Sequence, residues 1–155
     1  KGGPTFFQVA SQMPDRDFLA VEGGWLVQHV PAVVTANVTI SPSVEDMREI
    51  YSQTRVLLMP SIVETWGRVA IEAMISGIPV IAHPTPGLVE SLGKAGIFVD
   101  RDDIAGWVRE LRRLEDSAEW AKASKAAKAR ARQLNPKKDL ERFAAAIEAF
   151  GARSV

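Results

Sequence analysis

The sequence contains no cysteine among its 155 residues. This absence excludes disulfide bonds, a cysteine nucleophile and a zinc site built on thiolates. It also fits a reducing compartment, and we therefore expect a cytoplasmic protein. Long hydrophobic runs are missing as well, because no apolar stretch of the sequence is long enough to cross a bilayer.

An excess of charge of one sign is also missing, since 19 basic residues balance 19 acidic residues. The net charge therefore gives no argument for nucleic acid as a partner. Basic residues do cluster between residues 121 and 138, where no acidic residue interrupts them: Lys122, Lys125, Lys128, Arg130, Arg132, Lys137 and Lys138. This cluster could contact an anionic membrane surface, but its apolar positions are mostly alanine, which inserts poorly. A solvated helix face is the favoured interpretation.

The whole chain is 46% hydrophobic and 25% charged, which is typical of a soluble globular domain. Its length fits one domain spanning residues 1–155. Patterns typical of strands and helices alternate along the chain. Strands are predicted at 17–21, 37–40, 56–59, 78–82 and 96–99, and helices after Pro4, after Ser43, at 67–76, after Asp100 or Asp102, at 117–134 and after Pro136. This alternation predicts an α/β fold: a doubly wound, Rossmann-like parallel sheet with helices on both faces and extra C-terminal helices.

Two features of the predicted helices concern particular residues. Ser43 followed by Asp46 resembles a capping box at the start of a helix. Trp107, Trp120, Phe143 and Phe150 recur at helical spacing, which predicts that they belong to the core.

The most informative segment is the run from Pro60 to Ala73, in which seven residues separate Glu64 from Glu72. A continuous apolar strand precedes it, as expected for a strand covered on both faces. The loop after such a strand lies at the carboxyl edge of the sheet, and the following helix directs free N–H groups to the same place. Those groups and the helix dipole favour a phosphate, and Gly67 lets a ligand approach the backbone.

Carboxylates accept hydrogen bonds from sugar hydroxyls more readily than they contact a phosphate. A ligand with hydroxyls on both sides of a phosphate group would therefore explain both glutamates, and a nucleotide-sugar has this arrangement. The ordinary alternative is that the helix dipole favours one glutamate and that the other is a surface residue. The spacing alone leaves both interpretations open.

The same segment resembles the signature of the retaining glycosyltransferases of the family-four type, which have the two-domain GT-B architecture. The matching positions are Ser61, Glu64, Trp66, Gly67, Glu72, Ala73, Met74, Gly77, Pro79, Val80, Ile81 and Ala82. Segments similar to the family also flank it, namely Lys1-Gly2, residues 18–24, residues 87–90 and residues 95–99. The resemblance covers nearly the whole chain and implies the C-terminal, nucleotide-sugar-binding domain.

The resemblance implies a role for each site residue. Glu64 would bind hydroxyls of the donor sugar where the glycosidic bond forms, and it is the expected catalytic residue. Trp66 would lie at the sugar pocket, and backbone N–H groups around Gly67, Arg68 and Val69 would hold the diphosphate. Glu72 would accept hydrogen bonds from the ribose. Lys1 would neutralise the diphosphate as the nucleotide leaves, without a metal or other cofactor.

Several features depart from the family pattern. Trp66 stands where phenylalanine is usual, and Thr85-Pro86-Gly87 replaces a Gly-Gly pair and should stiffen that loop. The N-terminal, acceptor-binding domain is absent from the sequence. We therefore expect a fragment that binds donor weakly and transfers little or no sugar on its own.

Two other functions remain as alternatives. A nucleotide-sugar epimerase has a similar architecture, but it lacks the two glutamates at this spacing with the Glu-Ala-Met continuation. A non-catalytic module that binds a nucleotide or a partner protein would have a vestigial site. His83 follows a predicted strand at the ligand edge, and we favour a supporting loop role for it over contact with the donor.

Overall fold

A computed structural model describes residues 2–22 and 34–151 of the chain. Its helices are α1 (Gly3–Ser11), α2 (Met47–Gln53), α3 (Arg68–Ile75), α4 (Pro86–Leu92), α5 (Ile104–Arg113), α6 (Ser117–Gln133) and α7 (Lys137–Gly151). Its strands are β1 (Phe18–Val21), β2 (Val38–Ser41), β3 (Leu57–Met59), β4 (Val80–Ala82) and β5 (Ile97–Phe98). The order of elements confirms the predicted α/β class, although most strands are shorter than the sequence pattern suggested.

The described strands form two parallel sheets. In one sheet β1 pairs with β2, with Phe18 opposite Val38. In the other sheet the order is β3-β4-β5, with Leu57 opposite Val80 and Ile81 opposite Ile97. All pairings are parallel, so the carboxyl ends of the paired strands share one edge, as the doubly wound prediction requires.

Helices on the two faces of the sheets produce two apolar clusters. On one face, Met74 and Leu88 pack with Val80 and Ala127, which brings α3, α4 and α6 onto β4. On the other face, Val9 and Trp107 join β1 and β4 to α1 and α5. The fully buried strand β4 lies between the two clusters, which is the expected position of a central parallel strand.

Two predicted helix starts were wrong. Asp46, not Ser43, caps α2, because the Asp46 carboxylate accepts a hydrogen bond from the backbone N–H of Arg48 at 2.9 Å. Asp103, rather than Asp100 or Asp102, caps α5 by accepting from the N–H of Gly106. In both cases several residues with capping side chains stand close together, and local geometry decides which of them is used.

Helix α4 was not predicted, since the Thr85-Pro86-Gly87 segment suggested a stiff loop. Thr85 is instead its N-cap and accepts from the N–H of Leu88 at 3.3 Å, while Pro86 occupies the first turn. Proline is favoured there because its missing N–H would have no partner within the helix.

The core prediction was right for Trp107 and wrong for the last helix. Trp107 is fully buried, whereas Phe143 and Phe150 of α7 are 65% and 76% exposed. Trp120 is half-buried, and its indole N–H donates to the carbonyl of Arg55. The apolar residues of α7 therefore have the expected helical spacing but are largely exposed in the described part of the chain.

None of the described helices combines the length and the apolar character needed to cross a membrane. In the basic segment, Lys122, Lys125 and Arg132 are exposed, as expected of a solvated helix face. Arg130 is half-buried and donates to the carbonyls of Glu90 and Ser91 at the end of α4. This residue therefore has a structural role, and membrane contact by the others stays a prediction.

Candidate functional site

The loop between β3 and α3 lies at the carboxyl edge of the three-stranded sheet. Pro60 and Ser61 are buried at the end of β3, which fixes the start of the loop. The side chains that follow turn outward, and Val63 and Trp66 are 76% and 39% exposed. The loop thus presents apolar and aromatic surface beside the carboxylate of Glu64, which is half-buried.

Gly67 ends the loop and begins helix α3. Its φ of 69° is in the left-handed region, which disfavours residues with a side chain. A Cβ at this position would also collide with the side chain of Leu88. Arg68 and Val69 form the first turn of α3, where the leading N–H groups have no partner within a helix. Both the backbone conformation and the packing of Leu88 therefore favour glycine at the start of α3, where the positive end of the helix dipole faces the loop.

A second glycine, Gly87, holds the loop against α4. A Cβ on Gly87 would overlap the backbone carbonyl oxygens of Glu64 and Thr65. The backbone beside Glu64 therefore rests directly on the first turn of α4. This contact places Glu64 on the side of the site where β4 ends.

Glu72 contacts a different part of the fold. The hydroxyl of Tyr51, on α2, donates to Oε2 of Glu72 at 2.8 Å. The guanidinium of Arg68 lies 3.9 Å from the other carboxylate oxygen, Oε1. Tyr51 is buried at 9% exposure, while the Glu72 side chain keeps 39% of its surface. Glu72 is thus oriented from the α2 side and still accessible to a ligand.

The environment of Tyr51 favours its neutral, hydrogen-bond-donating form. Burial raises the pKa of the Tyr51 phenol well above its ordinary value of 10.0, and the neighbouring Glu72 carboxylate raises it further. The phenol is therefore a donor to Glu72 throughout the physiological pH range. The role of Tyr51 was not predicted, because 21 positions separate it from Glu72. A sequence pattern gives no signal for a contact between two helices at that separation.

His83 makes backbone contacts of the kind expected of a supporting loop residue. Its Nδ1 accepts a hydrogen bond from the backbone N–H of Arg101 at 3.1 Å. The backbone N–H of His83 donates to the carbonyl of Met59 at 3.0 Å. The residue therefore connects the end of β3 to the turn after β5.

The structure gathers most of the predicted site residues around one loop and one helix. Glu64, Trp66, Gly67, Arg68, Val69 and Glu72 all lie between the end of β3 and the middle of α3. Lys1 lies outside the described residues, as do Gly23, Gly24 and His29. Within the described part of the chain, histidine and acidic side chains form no group of three or more that could hold a metal ion.

Comparison with known proteins identifies a family. A family profile described as Glycosyl transferases group 1 matches residues 8–117. Over 74 residues, or 46% of this chain, the sequence is 39% identical to a D-inositol 3-phosphate glycosyltransferase of Corynebacterium kroppenstedtii. That stretch covers only 16% of the length of the relative.

Solved structures match over a larger share of the chain. A sucrose-phosphate synthase from Thermosynechococcus elongatus covers 98% of this chain with a TM-score of 0.80 at 27% identity, and the match spans 43% of that protein. The pneumococcal O-GlcNAc transferase GtfA, solved in complex with UDP and GlcNAc, covers 94% of this chain with a TM-score of 0.74 at 20% identity. The match spans 31% of GtfA. This chain therefore corresponds to less than half of each of these two proteins.

Proposed function

The chain belongs to the family of group 1 glycosyl transferases, and from that membership we propose that it is the donor-binding half of a sugar-transferring enzyme. The donor is a nucleotide-diphosphate sugar, and transfer to the acceptor retains the configuration of the sugar. The observation that carries this proposal is the arrangement around α3. Glu64 precedes and Glu72 follows, along the chain, a helix start that favours glycine and whose leading N–H groups have no partner within the helix.

The contacts of the two glutamates suit opposite ends of one donor. Glu72, oriented by Tyr51 and partly exposed, accepts hydrogen bonds from the ribose hydroxyls. The N–H groups at Gly67, Arg68 and Val69 bind the diphosphate, where the helix dipole favours negative charge. Glu64, fixed against α4, accepts from hydroxyls of the transferred sugar.

The exposed ring of Trp66 lies two residues from Glu64 and can pack on the apolar face of that sugar. In the proposed transfer, the bond between the sugar and the diphosphate breaks while the acceptor hydroxyl oxygen attacks from the same face, and the hydroxyl proton passes to the leaving diphosphate. Negative charge then develops on the leaving diphosphate, and the α3 N-terminus stabilises it electrostatically. Lys1 is proposed to supply a further positive charge, and no metal is required.

Transfer also needs an acceptor-binding surface, which we assign to a separate N-terminal domain of a longer, cytoplasmic enzyme. The match to this chain covers 16% of the D-inositol 3-phosphate glycosyltransferase and 43% of the sucrose-phosphate synthase. These small fractions support the division into two domains. Because only the donor half of the cleft is contained here, this chain alone should bind nucleotide with little or no transfer.

Calorimetric titration of the chain with UDP, GDP and ADP, followed by the corresponding nucleotide-sugars, tests the proposal. We expect one nucleotide to bind in preference to the others and Glu72→Gln to weaken its binding. Glu141→Gln, an exposed carboxylate on α7, is the matched control and should bind normally. If none of the nucleotides binds the chain or the full-length protein, the site is vestigial and the chain is a non-catalytic module.

A further inference from the structure

The side chain of Arg68 lies exposed beside Glu72 at the start of α3. Arg68 is the first residue of the helix, and its side chain keeps 88% of its surface exposed. Its guanidinium lies 3.9 Å from Oε1 of Glu72, which is too far for a hydrogen bond. Other arginines are held by the fold, since Arg112 donates to Asp15 and Arg130 donates to backbone carbonyls of α4. The exposed guanidinium of Arg68 therefore offers its donors to a ligand.

The stability of the helix does not explain an arginine at this position. The N-terminus of a helix carries a partial positive charge, so a cation in the first turn is disfavoured. The first turn of α3 contains no acidic residue to offset this effect, and its N-cap Gly67 has no side chain that could accept a hydrogen bond. The helix end and the guanidinium together create a local excess of positive charge, which an anion would balance.

The ion pair with Glu72 is also a weak explanation. Exposed pairs of this kind contribute little to stability, because water screens them and ordering two long side chains costs entropy. The order of the pair is unfavourable too, since an acidic residue four positions before a basic one stabilises a helix better than the reverse. Oε2 of Glu72 is already held by the hydroxyl of Tyr51, so the carboxylate does not depend on Arg68 for its orientation.

Arg68 and Glu72 are placed to contact neighbouring groups of one nucleotide. They lie four residues apart on the same side of α3, which is a rise of about 6 Å. The proposed function assigns the ribose hydroxyls to Glu72 and the diphosphate to the leading N–H groups of α3. A single methylene group joins the ribose to the nearest phosphate, so that phosphate must lie between these two places. The guanidinium of Arg68, beside Oε1 of Glu72, lies in the same interval.

We propose that the guanidinium of Arg68 binds the phosphate that adjoins the ribose of the nucleotide donor. This inference rests on the proposed function and adds a side chain to the backbone N–H groups assigned there. A guanidinium presents its N–H donors in a planar fork that matches two phosphate oxygens, and it stays charged at every physiological pH. Arg68 thus makes binding depend on this phosphate, whereas Glu72 makes binding depend on the ribose.

Titration with ligands that differ only in their phosphates tests this inference. The ligands are the preferred nucleoside diphosphate among UDP, GDP and ADP, its monophosphate and its nucleoside, each measured against the full-length protein and against this chain. Arg68→Gln should weaken both phosphate-bearing ligands by about tenfold or more and the nucleoside by less than about twofold. Arg68→Lys, which keeps the charge but not the planar fork, should recover part of the loss.

Arg132→Gln is the matched control, because it removes the same charge from an exposed position on α6. This variant should bind all three ligands as the unmodified protein does. Thermal unfolding checks that each variant is folded, and we expect Arg68→Gln to keep the midpoint of the unmodified protein because the side chain is so exposed.

The inference fails if Arg68→Gln binds either phosphate-bearing ligand as tightly as the unmodified protein, or if Arg68→Lys binds them no better than Arg68→Gln. It also fails if nucleoside binding weakens to the same degree, because Arg68 would then act only through the position of Glu72. Nucleotide binding that Arg68→Gln leaves unchanged would refute this inference alone. If no nucleotide binds the unmodified protein, the proposed function fails together with it.

Discussion

The hydroxyl of Tyr51 donates a hydrogen bond of 2.8 Å to Oε2 of Glu72 and links α2 to α3. Glu72 is therefore not an isolated surface carboxylate, because a buried donor fixes one of its oxygens and leaves the other beside Arg68. An oriented, partly exposed carboxylate is what the recognition of paired ribose hydroxyls requires.

The first prediction concerns the ionisation of Tyr51, the only tyrosine in the sequence. Burial and Glu72 both raise the pKa of its phenol above 10.0. The associated stabilisation is complete below pH 10.0 and is lost as the pH rises through the higher folded-state value. Ultraviolet titration of the phenolate should give a midpoint well above 10.0. Glu72→Gln should lower the midpoint part of the way, since burial is the larger cause. A midpoint at the ordinary value would contradict the contact.

The second prediction concerns Gly87. Alanine there would collide with the carbonyls of Glu64 and Thr65, so Gly87→Ala should displace the loop and weaken donor binding about tenfold or more. Gly77→Ala is the matched control, because Gly77 has a φ of 78° at the far end of α3 and its Cβ would meet side-chain atoms of Lys128 and Ser124. The control should lose about 1–2 kcal/mol of stability and keep its affinity. Equal affinity losses in calorimetry would refute a specific role for Gly87.

The third prediction concerns stability in acid. Both oxygens of Asp15 accept from Arg112, at 2.6 and 2.8 Å, and these hydrogen bonds are the main reason that the pKa of Asp15 falls from 3.8 to about 2. The resulting stabilisation is complete above pH 3.8 and is lost as the pH falls through about 2. Urea unfolding across this window should show a smaller loss of stability in Asp15→Asn than in the unmodified chain. An unchanged pH dependence would mean that the pair contributes nothing in solution.

The fourth prediction compares two aromatic residues that have similar sequence signals. Phe143→Ala should change the free energy of unfolding of this chain by no more than about 0.5 kcal/mol, because the ring is 65% exposed. Trp107→Ala should cost about 3–5 kcal/mol, because Trp107 is fully buried and its indole N–H donates to the backbone carbonyl of Asp100. Chemical denaturation measures both values. A large loss for Phe143→Ala would show that α7 packs on the domain.

Local signals in the sequence were sufficient to predict most elements of the fold. Burial favours the continuous apolar strand before Pro60, and backbone conformation favours glycine at position 67. Both preferences are visible in the residue types themselves. The start of α2 was misplaced because serine and aspartate both cap helices well, and the choice depends on which side-chain oxygen reaches a free N–H of the first turn, here the Asp46 carboxylate with the N–H of Arg48.

Contacts between distant segments could not be predicted in the same way. The pairing of Tyr51 with Glu72 and the support of the Glu64 loop by Gly87 depend on how the helices pack. The spacing of Phe143 and Phe150 indicated correctly that α7 is amphipathic, but periodicity does not reveal whether anything covers the apolar stripe. The sequence thus located the candidate site, and tertiary packing determines how its carboxylates are held.

The most direct test of the central claim is to titrate a free nucleoside diphosphate and its nucleotide-sugar against the chain and against Glu64→Gln and Glu72→Gln. If the two glutamates serve opposite ends of one donor, Glu72→Gln should weaken both ligands by about tenfold or more. Glu64→Gln should then weaken only the nucleotide-sugar. Equal effects of the two variants on both ligands, or no effect of either, would contradict the claim.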